Sequence, residues 1–407
     1  MNFFEYSKNL NIYVRDNIIY IRGVMCVILV NLKLDNILSF SNFTINFSYP
    51  KKVKNFAINN ENLENLNSFR YKKLNIFLGS NASGKSSLLT CIWKIMLFLS
   101  KGERSFIDEI VNNNYKESYI EVDFVTNLVE QSEKKYLLNR VKIKIDNLNC
   151  KIKIACIQLR LNQGDSYENR AKDLNQFTEY VDYLEFLNKH NFEIGWHTAL
   201  PATEPGFDIV KIMNPNDKKT KNEYLFIVNQ VLKTLDSSII NVSQSKDSDD
   251  AFVIEHESAG KIIVQHGNKL STIPYLSSGT KYGFNIANLL FSIKTHNNGV
   301  YLIDEQFSYV NSDIEIAILN TMVSLLGPDE QIFFTTHNLN VLEIKFPFHS
   351  FNFLKKENLD ERIVIKSYCA SLVENRNNTS AKSIIDNDML ATAPDVNKIY
   401  EIGEDDE

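Results

Sequence analysis

Alternating apolar and polar positions appear early in the chain, in the segment VILVNLKLDNILSFSNFTINFSY that begins at Val27. Because successive side chains of a strand point to opposite faces, this pattern on either side of Asp35 and Asn36 predicts the two strands of a hairpin. The run LNIFLG at 74–79 is short and apolar and ends in glycine, which is typical of a buried strand. The apolar segment SSLLTCIWKIMLFLS at 86–100 then predicts a helix.

Three further segments between 118 and 161 alternate in the same way: SYIEVDFVTN, RVKIKIDN and CKIKIACIQLRL. They predict antiparallel strands of a second, smaller sheet beside the first lobe. The spacing then becomes helical in DLNQFTEYVDYLEFLNKHN and NEYLFIVNQVLKTLDSSI, which are separated by a proline-containing segment at 200–217. We interpret the block 166–250 as a helical insertion, without the sustained heptads of a long coiled coil.

After this block the chain alternates between strands and helices. The segment AFVIEHESAGKIIVQHG predicts a hairpin that turns at Ala259 and Gly260. A helix at about 281–295, the strand VYLIDE, a helix at about 312–326 and the strand QIFFTT then follow one another. This alternation predicts an α/β fold with a mainly parallel sheet covered by helices.

Composition and charge argue against several classes of protein. No segment approaches ~18 uninterrupted apolar residues, and the first residues lack the regions of a signal peptide, so we expect a cytoplasmic protein without a membrane partner. The net charge of −6 argues against a protein that coats DNA by bulk charge. Reduced thiols are expected rather than a zinc site or disulfides, since no C-x-x-C spacing occurs. The five cysteines are Cys26, Cys91, Cys150, Cys156 and Cys369.

A phosphate-binding loop is predicted at 79–86, where GSNASGKS fits the pattern G-x-x-x-x-G-K-[ST] between a strand and a helix. Glycines let the backbone N–H groups of such a loop surround phosphates, and the helix dipole adds positive potential. Lys85 supplies a charge for the β- and γ-phosphates, and the Ser86 hydroxyl is a ligand for Mg²⁺. The loop therefore predicts binding of ATP and Mg²⁺. The nucleotide-binding candidates are Gly79, Ser80, Asn81, Ala82, Ser83, Gly84, Lys85, Ser86 and Ser87.

Candidate hydrolytic residues lie at the ends of two later strands. Asp304 and Glu305 end the strand VYLIDE; the aspartate is suited to hold Mg²⁺ and the glutamate to polarise the attacking water. His337 follows the strand in FFTTHN, where an imidazole can contact the γ-phosphate or that water.

A second anion-binding tip is predicted at Ser277, Ser278 and Gly279, which precede a helix in LSSGTKYG. The chain shows one phosphate loop, so we expect this tip to reach the γ-phosphate held by a neighbouring protomer. The prediction is a dimer, or a higher homo-oligomer, closed over ATP.

The phosphate loop, LSSGT, LIDE and TTH, in this order, resemble the motifs of ABC-type ATPase heads of the SMC/RecF/OLD group. The chain is most similar to the stand-alone OLD-like ATPases of anti-phage systems such as PARIS, Septu and abortive-infection loci. The resemblance implies that Lys85, Glu305 and His337 act in hydrolysis. It also implies a glutamine that joins Mg²⁺ and water, for which Gln158 and Gln163 are both candidates.

Two features depart from that group. Its members often read DEPE followed by LHP, whereas this chain reads DEQFSYVNS, with Asn311 at the position of the histidine. Many OLD proteins also carry a Toprim nuclease, and too few residues follow His337 for one. The D-x-D at 386–388 is interpreted as a solvated turn, so any nuclease is expected to be a separate protein.

The leading functional hypothesis is an ATP-hydrolysing sensor or regulator of anti-phage defence that controls a separate toxic effector, such as a Toprim or HNH nuclease. DNA or a phage protein is the expected trigger. The alternatives are an ATPase of DNA repair that clamps DNA, a transporter cassette, and a nucleotide-gated scaffold with little turnover.

The expected fold is an ABC-ATPase head, a P-loop NTPase with an antiparallel β subdomain and a helical insertion. Five parts are predicted along the chain. They are a leader at 1–26, in which Met25 is an alternative start; an N-terminal ATPase lobe at 27–165; the helical insertion at 166–250; a C-terminal ATPase lobe at 251–370; and a tail at 371–407.

Overall fold

A computed structural model of the chain describes most of the predicted ATPase lobes. The described residues are 12–15, 18–21, 27–49, 58–130, 133–176, 178–189, 196–199, 218–247, 251–265, 276–296, 299–307, 310–359 and 362–372, with Lys382 and Tyr400.

Nineteen strands and seven α-helices occur within these residues. The strands are β1 (Ile12–Arg15), β2 (Ile18–Ile21), β3 (Val27–Asp35), β4 (Phe43–Asn46), β5 (Asn62–Leu63), β6 (Leu66–Arg70), β7 (Leu74–Leu78), β8 (Ser118–Glu130), β9 (Glu133–Asp146), β10 (Lys151–Arg160), β11 (Val181–Asp182), β12 (Trp196–Ala199), β13 (Ile239–Gln244), β14 (Ala251–His256), β15 (Gly260–Gln265), β16 (Val300–Asp304), β17 (Gln331–Thr335), β18 (Phe351–Leu359) and β19 (Arg362–Cys369). The helices are α1 (Lys85–Lys101), α2 (Ser105–Asp108), α3 (Tyr167–Arg170), α4 (Tyr183–Lys189), α5 (Lys218–Leu235), α6 (Ser278–Lys294) and α7 (Ser312–Leu325).

The central element is a six-stranded sheet in the order β12-β16-β17-β7-β18-β19. Every neighbouring pair is parallel except β18 and β19. The predicted parallel sheet is therefore confirmed, with the strand that leads into the phosphate loop near its middle. Strands β7, β16 and β17 are buried at all five positions, as expected for strands covered on both faces.

Two hydrophobic cores cover the two faces of this sheet. Along β7, Leu74, Ile76 and Leu78 belong to one core, and Phe77 belongs to the other. The first core is completed by α5, α6, α7 and the three-stranded antiparallel sheet β13-β14-β15. Helices α1 and α6 therefore lie on opposite faces of the parallel sheet.

The second core contains α1, which is packed between the parallel sheet and a six-stranded antiparallel sheet. That second sheet has the order β11-β10-β9-β8-β3-β4, so the predicted strands between 118 and 161 and the hairpin from Val27 are confirmed. The expected small separate sheet is wrong, because these strands and the hairpin form one sheet with as many strands as the parallel sheet. The hydrophobic residues of α1 meet both sheets because the helix is apolar around most of its surface, as a helix enclosed between layers must be.

One side chain joins the two sheets directly. The amide of Gln331, at the start of β17, accepts a hydrogen bond from Leu29 N at 2.9 Å and donates to Leu29 O at 3.0 Å. It also donates to Lys72 O at 3.0 Å, just before β7. A fully buried amide with these partners continues the backbone pairing from β3 into the parallel sheet.

The block 166–250 is not simply helical, which corrects the sequence interpretation. Helix α5 is confirmed, but the segment 173–191 contains a single 3₁₀ turn, the strand β11 and the short helix α4 within its described residues. Strand β12 forms the edge of the parallel sheet beside β16. These strands have two and four residues, too few to show a period of alternation. The proline-containing segment at 200–217 and the D-x-D at 386–388 lie outside the described residues, and the five domain boundaries stay predictions.

Candidate nucleotide site

The phosphate loop joins the buried strand β7 to the first turn of α1. Gly79 has φ of 153°, and a Cβ atom there would lie 2.3 Å from Leu354 O, so a larger residue cannot replace it. Gly84, with φ of 101°, is the N-cap of α1, and its Cβ atom would lie 2.6 Å from the Ile365 side chain. Both glycines are therefore required by the backbone conformation and by neighbouring atoms.

The first turn of α1 offers unpaired N–H groups, because the first N–H groups of any helix lack a partner within it. No acidic side chain lies in this described turn. Ser83 Oγ is buried and has no hydrogen-bond partner among the described residues. Asn81 and Ala82 are exposed on the same loop, and Ala82 has φ of 60°. The loop therefore combines an open rim with unsatisfied donors, which suits a phosphate.

Lys85 is buried at the base of this loop. Its ammonium donates to Gly79 O at 2.9 Å and to Ser80 O at 3.2 Å, and it lies 4.0 Å from Glu305 Oε1. Burial lowers the pKa of Lys85, while Glu305 and Asp304 act in the opposite direction. The ammonium group of Lys85 is thus held at the loop by two carbonyl oxygens and lies near the carboxylates of Asp304 and Glu305.

Asp304 ends β16 beside the loop. Its Oδ1 accepts a hydrogen bond from Ser86 Oγ at 3.1 Å and another from Thr335 Oγ1. Burial raises the pKa of Asp304, and these two hydrogen bonds oppose that shift. The structure therefore brings together the two oxygen groups that were predicted to hold Mg²⁺, and oxygen ligands are those that Mg²⁺ prefers.

Glu305 and His337 form the exposed side of the site. The carboxylate Oε1 lies 2.7 Å from His337 Nε2, and the side chains are 28% and 43% exposed. Glu305 has φ of 49°, a left-handed conformation held by hydrogen bonds from its N–H to Thr335 O at 3.3 Å and Thr335 Oγ1 at 3.1 Å. This strained residue presents its carboxylate beside Lys85, which is the arrangement expected of a group that contacts a reacting molecule.

Thr335 was not identified from the sequence, although a signal for it existed. In the parallel pairing of β16 and β17, Asp304 is directly opposite Thr335. If β16 and β17 are predicted to be neighbouring parallel strands of equal length, Thr335 at the end of β17 is expected beside Asp304 at the end of β16. Its hydroxyl contacts Asp304 and the backbone of Glu305 together.

The signature residues begin α6, on the face of the parallel sheet opposite α1. Ser277 is exposed and caps the helix, accepting a hydrogen bond from Thr280 N at 3.0 Å. Ser278 and Gly279 form the first turn, whose described residues include no acid. The structure does not bring these residues into contact with the phosphate loop of the same chain, and their action in trans stays a prediction.

The two glutamine candidates lie in or beside the antiparallel sheet. Gln158 is on β10 and donates to Asn139 Oδ1 at 2.7 Å, and Gln163 is exposed in the turn after that strand. In the described part of the chain, neither contacts the cluster of Lys85, Asp304, Glu305 and His337.

Asn311, which stands where the similar ATPases often have a histidine, is the N-cap of α7. Its side chain accepts a hydrogen bond from Asp313 N at 2.8 Å. Asn311 therefore has a structural role in this chain, as one of the residue types preferred at a helix N-cap.

No protein-family model matches the chain, and no curated protein matches it. Solved structures with a similar fold include the SMC head domain from Thermotoga maritima, at 14% identity and a TM-score of 0.40, covering 83% of this chain and 97% of that one. An Smc head bound to the winged-helix domain of ScpA has 12% identity and a TM-score of 0.46, with 85% and 99% covered. The recombination mediator protein RecF has 12% identity and a TM-score of 0.37, with 83% and 98% covered.

The fold is assigned from the molecule itself, by the sheet order, the phosphate loop after β7 and the acidic pair that ends β16. No helix in the described part of the chain is long and apolar enough to cross a membrane. The chain has the α/β fold of an ABC-ATPase head, with an antiparallel sheet packed beside the parallel one.

Proposed function

We propose that this protein hydrolyses ATP at the site formed by the phosphate loop, Asp304, Glu305 and His337. The observation that carries the proposal is the contact of Glu305 with His337 at 2.7 Å, beside a lysine that the loop holds 4.0 Å from the same carboxylate. A general base, a positive charge and a loop for phosphates are thereby collected within one site. These are the groups that phosphoryl transfer to water requires.

Each residue has a chemical role in this proposal. The loop N–H groups and Lys85 bind the phosphates, and Glu305 accepts a proton from the attacking water. His337 would orient Glu305, which it contacts at 2.7 Å, and would contact the γ-phosphate. Ser86 and Asp304 would hold Mg²⁺, which would neutralise charge on the phosphates.

A second copy of the chain is proposed to complete the site. Ser277 is exposed at the positive end of a helix 17 residues long and lies on the other face of the sheet from α1. Tyr301 Oη, near the start of β16, donates to Ser292 O, near the end of α6. The C-terminus of α6 therefore lies at the amino ends of the parallel strands, and its N-terminus, with Ser277, points towards their carboxyl ends. An anion-binding tip that projects from the sheet is suited to a phosphate on a partner protomer.

We extend the proposal to a role in anti-phage defence, as a sensor or regulator of a separate toxic effector, with a Toprim or HNH nuclease as the expected class. DNA or a phage protein is the proposed trigger. This part is supported by the resemblance of the four motifs and their order. Purification of the protein together with a nuclease, and relief of that association by a trigger, is the corresponding test.

One observation favours the alternative of an ATPase that clamps DNA. Lys144 and Lys153 are paired directly across β9 and β10, and both are exposed, with Lys151 also exposed at the strand end. Lys153 also lies opposite Asp182 on β11, and Lys151 lies opposite Asp146, so the lysines are partly compensated within the sheet. Being exposed, they are still accessible to the phosphates of a polyanion. Binding of duplex DNA that weakens steeply with salt would favour this reading.

The proposed ATPase is tested with Glu305→Gln and two variants of Ser277. We expect Glu305→Gln to lower turnover by about 10²–10⁴-fold while ATP still binds, because only the general base is lost. With ATP and Mg²⁺ this variant should form dimers in light scattering. Ser277→Asp keeps a good helix cap but repels phosphate, so it should stop dimer formation and turnover. Ser277→Asn, a neutral cap, is the matched control.

Three outcomes would contradict these proposals. An equal rate in wild type and Glu305→Gln would leave a nucleotide-gated scaffold as the better description. A monomer under all conditions would exclude closure over ATP. Equal turnover in Ser277→Asp and Ser277→Asn would exclude the signature tip from the site.

A further inference from the structure

His337 is flanked by two residues that bind the same buried carboxylate. Thr336 Oγ1 donates to Glu315 Oε1 at 2.6 Å, and Asn338 Nδ2 donates to Glu315 Oε2 at 2.8 Å. Asn338 N also donates to Thr336 Oγ1 at 2.9 Å. Both neighbours of the histidine are therefore fixed to one side chain.

Glu315 lies in the first turn of α7 and is only 5% exposed. Burial raises its pKa, and the hydrogen bonds from Thr336 and Asn338 oppose that shift. Both of its oxygens accept from the loop that carries His337, so its hydrogen bonds are directed to that loop. A buried carboxylate is expensive unless it is hydrogen-bonded in this way, which makes the arrangement well defined.

The start of α7 holds the same loop at a second place. Ser312 Oγ accepts from Asn338 Nδ2 at 2.8 Å and from Asn340 Nδ2 at 3.0 Å. The loop after β17 is thus attached to one helix end by several side chains, and none of these contacts involves Glu305.

The side chain of His337 extends from this fixed segment towards the site. It is 43% exposed, so tight packing does not determine its position. The distance of 2.7 Å from His337 Nε2 to Glu305 Oε1 therefore depends on the position of the backbone at 336–338, which carries the imidazole.

We propose that Glu315 is a positioning residue for the hydrolytic site, fixing His337 against Glu305 through Thr336 and Asn338. This inference rests on the proposed function, since it assigns the means by which that site is kept in its active geometry. Within the described residues, the hydrogen bonds of Glu315 go to Thr336 and Asn338 rather than to the phosphate loop or Glu305. Its effect passes entirely through the backbone of the histidine.

The test compares Glu315→Ala with Glu315→Gln in the full chain. We expect Glu315→Ala to lower kcat for ATP by about 10–100-fold, as misplacement of a reacting group does. The KM for ATP should stay within about threefold, because the phosphate loop binds the nucleotide. Glu315→Gln should stay within about fivefold of wild type in kcat, since an amide of the same shape still accepts from Asn338 and donates to Thr336.

Glu330→Ala is the matched control. Glu330 is also a buried glutamate whose pKa is raised by burial, but it lies before β17, at the other end of that strand. Its loss should lower stability without the loss of kcat seen for Glu315→Ala. If Glu315→Ala does not fold, Thr336→Val and Asn338→Ala replace it: each removes one hydrogen bond to Glu315, and each should lower kcat by a smaller factor than a complete loss would. Thr336→Val also removes the acceptor for Asn338 N, and Asn338→Ala also removes the hydrogen bonds with Ser312 and Asn340 N.

A second readout is independent of turnover. The chain has seven histidines, and ¹⁵N-histidine labelling with His337→Gln as the assignment variant identifies the imidazole signal of His337. That signal should move in Glu315→Ala and stay in place in Glu315→Gln and Glu330→Ala. Absence of ATP turnover in the wild type would contradict the proposed function but not the role of Glu315, which the NMR signal of His337 still tests. An unmoved His337 signal in Glu315→Ala, or an equal fall in kcat for Glu330→Ala, would overturn the role of Glu315.

Discussion

The two ends of the parallel sheet present the same four residue types in different settings. The carboxyl ends of the strands carry Lys85, Asp304, Glu305 and His337, and the amino ends carry Lys73, Asp329, Glu330 and His296.

At the amino ends most of the charged groups contact other parts of the fold, although His296 is about half exposed and Asp329 Oδ1 has no hydrogen-bond partner among the described residues. Lys73 Nζ donates to Gly327 O at 2.9 Å, and Asp329 accepts from Tyr136 Oη at 2.7 Å. Glu330 lies 3.2 Å from His296 Nδ1 and is almost fully buried. These contacts join the segments that precede β7 and β17 to each other and to the antiparallel sheet.

At the carboxyl ends the corresponding groups are open to a ligand. Glu305 and His337 are partly exposed, and the helix N-terminus of α1 begins among them. The glycine loop makes the difference, because it places the N-terminus of α1, with its unpaired N–H groups, beside these side chains. Charged residues of the same types therefore form a candidate anion-binding site where backbone N–H donors beside them are unpaired and accessible.

The sharpest way to break this comparison is to remove the lysine at each end. Lys85→Met should lower ATP turnover by about 10²–10³-fold, because a positive charge is lost where negative charge develops. Lys73→Met should keep turnover within about twofold, since its ammonium contacts only the fold. Steady-state kinetics on both folded variants checks this. A comparable loss in Lys73→Met would show that the two ends are not distinct.

The aspartates give the next largest contrast, in stability. Asp329→Asn should lower the free energy of unfolding by about 2 kcal/mol, because a buried carboxylate loses its charge-assisted contacts with Lys134 and Tyr136. Asparagine tolerates the φ of 57° at this residue, so the backbone is not an added cost. Urea unfolding measures the change. Asp304→Asn is the counterpart, and it should lower turnover with a smaller effect on stability.

The smallest expected effect is the pH dependence caused by Glu330. Burial raises the pKa of Glu330, against hydrogen bonds from Gly327 N and His296. The folded state then holds the proton more strongly than the unfolded state, so lowering the pH through the raised pKa stabilises the wild type. The gain is complete below the ordinary glutamate pKa of about 4.3.

Glu330→Gln does not titrate and lacks this gain. The difference in unfolding free energy between wild type and variant should therefore move in favour of the wild type as the pH falls, by about 1 kcal/mol or less. Urea unfolding across the acid range tests the sign. A difference that is constant, or that moves towards the variant, contradicts the expected shift.

The parts predicted well from the sequence are those in which one short segment determines its own structure. The loop from Gly79 to Ser86 is predictable because the spacing of its glycines, lysine and serine is a pattern within one short segment, and Asp304 because it ends an apolar strand. The hairpin β3–β4 was predicted because its alternation continues over many residues.

The parts that were missed depend on pairings between distant segments. Strand β12 has four residues and is defined by its pairing with β16, about a hundred positions later in the chain. Thr335 is a site residue only because β17 lies beside β16, and Glu315 only because α7 begins beside the loop after β17. Gln158 and Gln163 are candidates because of their position in the chain, and that position does not determine whether a side chain lies near the phosphate loop.

The position of β7 between β17 and β18 has a consequence for biosynthesis. The ribosome makes Leu74–Leu78 early, and the partner strand beginning at Gln331 emerges roughly 250 residues later, which at about 5–20 residues per second takes tens of seconds. Both edges of an apolar strand stay unpaired during that interval, and such edges promote aggregation. A nascent chain that stops before Gln331 would carry a complete phosphate-binding segment without the parallel strand that pairs with β7.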